Sequence, residues 1–123
     1  MDDPFFRLLC VDDNPMLLQM LAVGFRSYGF DVVTAAHGID ALKQFQAHAG
    51  KFGAVLTDHS MPKMDGSTLI KNLRALDYRG RILVMSGRLT ASDGLAYQDL
   101  GVGGFLSKPF EIGMAAAMLM QAD

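Results

Sequence analysis

Arg7-Leu8-Leu9-Cys10-Val11-Asp12-Asp13-Asn14-Pro15 is a short apolar run that stops at two adjacent carboxylates and a helix start. Asn14 has the side chain of an N-cap, and Pro15 suits the first helical position, where no backbone donor is needed. Leu17, Leu21, Phe25 and Tyr28 then recur at helical spacing, and Gly29 is a natural stop. The rest of the chain repeats this strand–helix unit. Strands are expected over residues 31–34, 52–57, 81–85 and 103–107. The intervening helices are expected over 38–49, carrying Ile39, Leu42 and Phe45, after the 61–66 loop, carrying Leu69, Leu73 and Leu76, and over 91–100. A last helix is expected from near Pro109. The strand runs are uniformly apolar rather than alternating, which predicts strands buried on both faces. Five strands alternating with five helices predict an α/β fold with a parallel sheet, helices on both faces and right-handed crossovers.

The 123 residues fit a single domain, residues 1–123, and half of them are hydrophobic, enough for an apolar core without staples. The net charge of −2, with basic residues scattered from Arg7 to Lys108, argues against an electrostatic nucleic-acid footprint. Cys10 is the only cysteine, so no internal disulfide can form, which suits a reducing compartment such as the cytoplasm. The acidic start Met1-Asp2-Asp3-Pro4 is unlike a signal peptide, and the longest apolar run, residues 114–120, is too short to span a bilayer. No repeat, linker or low-complexity segment is evident.

In a parallel sheet every strand ends at the same edge, where open α/β folds bind their ligands. The residues just beyond the strands are Asp12 and Asp13, Asp58, Ser86, and Lys108. Three crowded carboxylates at neutral pH share protons or hold a cation, and hard oxygen ligands select Mg²⁺ or a similar ion. Lys108 and Ser86 could stabilise the charge of a transferring phosphoryl group, with Asp58 as the nucleophile. Taken singly these residues have plainer roles: Ser86 a turn, Lys108 a surface charge, Phe105 a core ring. Gly66 reads as a loop position with positive φ. His37, His48 and His59 lack metal-ligand spacing, His37 and His48 read as surface residues, and the nine methionines mostly as packing.

Four segments, each at a strand end, carry a resemblance that covers essentially the whole chain. They are Cys10-Val11-Asp12-Asp13-Asn14, Leu56-Thr57-Asp58-His59-Ser60-Met61-Pro62-Lys63-Met64-Asp65-Gly66, Val84-Met85-Ser86-Gly87 and Phe105-Leu106-Ser107-Lys108-Pro109-Phe110. The sequence resembles a response-regulator receiver domain of two-component signalling, of the chemotaxis-regulator kind. The resemblance implies a flavodoxin-like doubly wound (βα)5 fold with strand order 2-1-3-4-5. It implies that Asp58 takes phosphoryl from a phosphohistidine on a histidine kinase or phosphotransfer protein. It implies that Asp13 and Asp58 ligate Mg²⁺ directly, Asp12 through water, and the Ser60 backbone carbonyl as well. It also implies that Lys108 pairs with the phosphoryl oxygens and that Ser86 and Phe105 move as a switch. A cis bond before Pro109 is common in the family. Such a domain assists only its own phosphorylation and dephosphorylation.

Ser86 stands where threonine is common, Phe105 lacks the hydroxyl of a tyrosine, and Arg88 lies where it could shield the phosphoryl group and change its lifetime. On the last helix Ile112, Ala115, Ala116 and Leu119 fit a buried face, leaving Glu111, Met114, Met118 and Gln121 outward. A partner or self-dimer surface is expected there, beside the fifth strand. Competing readings are a receiver excised from a hybrid kinase or longer regulator, an aspartyl phosphatase, and a flavin- or nucleotide-binding module. The phosphatase wants an acid where Ser60 stands. The nucleotide module wants a glycine- or hydroxyl-rich loop where Asp12-Asp13 would repel phosphate.

Overall fold

The computed structural model describes residues 6–120. Its strands are β1 (Arg7–Val11), β2 (Asp31–Ala35), β3 (Ala54–Asp58), β4 (Arg81–Ser86) and β5 (Gly104–Ser107). Its helices are α1 (Pro15–Ser27), α2 (Gly38–Ala47), α3 (Gly66–Ala75), α4 (Ala91–Asp99) and α5 (Ile112–Met120). All strand pairs are parallel, in the order β2-β1-β3-β4-β5. The expected doubly wound, flavodoxin-like fold is the observed one.

The strands are apolar throughout because each supplies two cores. Successive side chains alternate across the sheet. Leu8, Cys10, Leu56, Leu83 and Met85 join the layer under α1 and α5, with Leu18, Leu21, Phe25, Ala115 and Leu119. Leu9, Val11, Val55, Ile82 and Val84 join the layer under α2, α3 and α4, with Phe45, Leu69, Ile70, Leu73 and Tyr97. Cys10 is fully buried, and that burial pushes its thiol well above the ordinary range, so it behaves as an apolar core group. No helix among the described residues is long and apolar enough to cross a membrane.

Local signals set most of the helix ends. Asn14 accepts from the Met16 and Leu17 N–H groups, and Pro15 follows it. Gly29, at φ 93°, ends α1. Tyr28, Ile39 and Leu76, which continue the apolar helical spacing in the sequence, are exposed: Tyr28 and Leu76 are C-cap residues beyond the last turn, and Ile39 stands in the first turn of α2. His37 and His48 are half-buried rather than on the surface. They cap α2, His37 Nδ1 accepting from Asp40 N–H at 3.1 Å and His48 Nδ1 lying 2.8 Å from the Gln44 carbonyl.

The last helix begins at Ile112, three residues later than expected. Lys108–Pro109 is cis, Phe110 packs against the α1–α5 core, and the Ala115 N–H donates to Glu111, so the first turn forms only there. Met118 is not outward: it packs against the same core with its methyl beside Gly104. Four residues on from Met114, it is carried about 40° round the helix, onto the β5 side. Met114 and Met120 are exposed. Gln121 lies outside the described residues. Of the described methionines Met85 is fully buried and Met61, Met64 and Met118 pack against the two cores, while Met16, Met20, Met114 and Met120 are exposed, so packing accounts for half of them.

At the far edge of the sheet Arg74 of α3 donates to four carbonyls, Tyr78, Gly80, Leu100 and Gly101, at 2.8–3.1 Å. It ties the turn before β4 to the C-terminal end of α4.

Candidate functional site

Backbone register brings the site together. The Asp12 N–H donates to Ala35, the His59 N–H to Met85 and the Lys108 N–H to Ser86, so the residues leaving β1, β3 and β5 are fixed against neighbouring strand ends. Ligand oxygens of Asp12, Asp13 and Asp58 lie within 4.8 Å of one another. Asp12 is fully buried, Asp58 nearly so, and Asp13 exposed. Asp12 uses one oxygen to accept from the Asn14 N–H at 2.8 Å and the other to meet Lys108 Nζ at 2.8 Å. It is thus a turn former and a member of the charged cluster at once. The same Nζ lies 3.1 Å from Asp58 Oδ1.

The electrostatics follow from burial. Desolvation raises the Asp58 pKa above the usual carboxylate range, Asp12 and Asp13 add to it, and Lys108 opposes the rise. Burial pulls Lys108 down, but its hydrogen bonds to Asp12 and Asp58 outweigh this and hold it above its ordinary value. One ammonium therefore bridges two carboxylates, leaving the set of three with excess negative charge. Hard carboxylate oxygens with unmatched charge, one of them solvent-facing, form a donor set that fits Mg²⁺.

Ser86 is buried at the end of β4. Its hydroxyl donates to the Arg88 carbonyl at 2.8 Å and accepts from the Arg88 N–H at 3.0 Å, so it is committed to the following turn. Arg88 itself is exposed. Phe105 is half-buried, packed edge-to-face on Tyr97 at 5.9 Å. Ser60 opens onto a cleft of about 440 Å³ lined also by Asp13, His59, Met61, Pro62 and Asp65. Gly66 does not have the positive φ expected of it. It is needed for close approach: a Cβ there would sit 2.6 Å from the Asp58 carbonyl and 2.9 Å from Tyr97 Oη. Lys63 at φ 70° is the left-handed residue of that loop.

The response regulator receiver domain model matches residues 8–119. The chain belongs to the response-regulator receiver family. Its relatives include the transcriptional regulatory protein PrrA of Mycobacterium tuberculosis, 36% identical over 104 residues. That match covers 85% of this chain and 44% of PrrA. The alkaline phosphatase synthesis transcriptional regulatory protein PhoP of Bacillus subtilis is 31% identical, with 85% and 42% covered. This receiver therefore spans less than half the length of those regulators. Among solved structures, the chemotaxis protein CheY4 of Vibrio cholerae superposes with a TM-score of 0.85 at 28% identity, covering 92% of this chain and 94% of CheY4. The CheX–CheY–BeF3–Mg²⁺ complex of Borrelia burgdorferi gives 0.86 at 29% identity, covering 94% and 87%.

Two features of this receiver escaped the sequence reading. His59 Nδ1 lies 2.6 Å from Tyr97 Oη, and its Nε2 lies 3.6 Å from Asp93 Oδ2. The pair is 38 positions apart, and only His59 belongs to the four matching segments; Tyr97 lies outside them. Met16, Met20 and Val23 line one exposed face of α1, at i, i+4 and i+7, a larger stripe than the α5 patch; helical spacing alone could have found it.

Proposed function

We propose that Asp58 is the phospho-acceptor of this receiver and that its phosphorylation switches partner binding. The observation that carries this reading is the Lys108 ammonium held between Asp12 and Asp58 at 2.8 and 3.1 Å, beside a third carboxylate. Burial raises the basicity of the Asp58 carboxylate, and with it the nucleophilicity of its ionised form, while Lys108 opposes the rise. In the transfer an Asp58 oxygen forms a bond to phosphorus as the donor's P–N bond breaks, and the departing imidazole keeps the electron pair. Lys108 then faces a phosphoryl oxygen in place of a carboxylate oxygen, without leaving Asp12.

Asp13, Asp58 and the Ser60 carbonyl would hold Mg²⁺ directly and Asp12 through water; when bound, the ion neutralises charge on the phosphoryl oxygens. Asp12, spent on Asn14 and Lys108, suits the indirect role. Ser86 would exchange its bonds to the Arg88 backbone for one to the phosphoryl group, and Phe105 would move into the space released. The exposed Arg88 would govern access of water, and so phosphoryl lifetime. The donor would be a phosphohistidine on a kinase or phosphotransfer protein, with the exposed α1 stripe beside Asp13 offering it an apolar footing. An output partner at α5 and β5 has less support, since Met118 is packed inward. The module turns over no other substrate. The longer relatives favour a place in a larger regulator as a second reading for the whole protein.

Intact mass after incubation with acetyl phosphate tests the assignment. One phosphoryl adduct is expected, requiring Mg²⁺ and lost in Asp58→Asn. An adduct that survives the substitution, or none in a protein shown separately to bind Mg²⁺, would overturn it.

A further inference from the structure

Tyr97 is the only fully buried residue of α4, and it reaches the acceptor loop from two sides. Its hydroxyl occupies the space left by the missing side chain of Gly66 and lies 2.6 Å from His59 Nδ1. Its ring packs edge-to-face on His59 and on Phe105, at 5.6 and 5.9 Å. Burial, with Asp65, Asp93 and Asp58 adding to it, pushes the phenol pKa well up, and a backbone hydrogen bond from Ser67 pulls only part of the way back. The phenol therefore keeps its proton and, in the Nε2–H tautomer of His59, donates to Nδ1. In that tautomer the Nε2–H faces Asp93, which closes the capping box of α4 with Thr90.

Nothing in the receiver motif demands this arrangement. A residue adjoining Asp58 is clamped by one helix through two groups a turn apart, and the same ring supports Phe105. We propose that Tyr97 is a positioning residue of the acceptor site: seated over Gly66 and bonded to His59, it holds the Asp58–His59–Ser60 backbone in place and ties that position to α4 and Phe105. This rests on Asp58 being the acceptor, but the geometric part stands apart from it. His59 is the intermediary, and Tyr97 touches no reacting atom.

The test uses the whole chain with Tyr97→Phe, which removes the hydroxyl and keeps the ring, His59→Leu, which removes the partner, and His59→Asn, which returns a hydrogen-bonding group near Nδ1. Adduct formation from acetyl phosphate is expected to slow about fivefold in Tyr97→Phe and in His59→Leu, the loss of one ordinary hydrogen bond. The double variant should be no slower than either single one, and His59→Asn should stay within about twofold of the parent. The backbone amide resonances of Asp58, His59 and Ser60 should move in Tyr97→Phe. Folded single variants with parental rates and unmoved resonances would overturn the proposal, as would effects that multiply. A purely structural tyrosine would lower the melting temperature and leave the rates alone. If the parent forms no adduct, the acceptor reading fails, and the amide resonances still decide whether Tyr97 positions the loop.

Discussion

Helices α1 and α4 flank the same edge of the sheet and are held there by opposite means. α1 has thirteen residues and buries Leu18, Leu21, Ala22 and Phe25; α4 has nine and buries only Tyr97. A buried Leu or Phe side chain contributes about 1.5–3 kcal/mol, so α1 is part of the core on which global stability rests. α4 rests on a capping box, one ring and the bonds at its two ends. The fold is permanent along α1 and adjustable along α4. The first helix carries the cap beside Asp13 as a fixed wall, and the fourth is attached to the acceptor loop by contacts that one rotation of a side chain can undo.

The sharpest way to break that contrast is Phe25→Ala. It should cost about 4 kcal/mol and lower the whole unfolding transition, measured by urea denaturation at 222 nm. Native-state hydrogen exchange should give α4 amides an opening free energy about 2 kcal/mol below that of the α1 amides from Leu18 to Phe25. Equal values would show that α4 belongs to the global unit. Removing the caps sharpens the point: Asn14→Ala and Thr90→Ala should each cost about 1 kcal/mol, the first seen in global unfolding and the second mainly in α4 exchange.

The smallest effect concerns the acceptor. Because burial raises the Asp58 pKa in the folded state, its ionised form opposes folding. That cost is present above the folded pKa and absent below the unfolded value, about 3.9. Asp58→Asn should therefore raise stability slightly at neutral pH in a chelator, and the gain should vanish on acidification. A variant less stable than the parent at neutral pH would mean that the bridge to Lys108 outweighs desolvation.

Strand ends were the most legible part of the sequence, because apolar runs stop where backbone leaves the sheet and parallel topology collects those stops at one edge. Asp12, Asp13, Asp58, Ser86 and Lys108 were all found that way. Helical faces were less legible. Tyr28, Ile39 and Leu76 keep helical spacing at helix ends, where the face they continue has run out of core to cover. Gly66 gave the right residue for the wrong reason, since a sequence does not say whether a glycine answers a backbone angle or a neighbour's approach. The His59–Tyr97 pair was invisible because only tertiary structure brings it together, and α4, with one buried residue, carries almost no periodic signal.

Arg74 gives α4 a mechanical character. By gripping the Leu100 and Gly101 carbonyls it makes the C-terminal end of α4 a fulcrum, with the His59 and Asp93 contacts near the other end as the latch. Nine residues make a lever arm of about 13 Å, so a tilt of about 10° would swing its free end by about 2 Å. A displacement of that size is enough to unseat a side chain from a neighbour's groove at the start of α4, and the exposed Leu95, halfway along the arm, would move about 1 Å with the far edge of the sheet standing still.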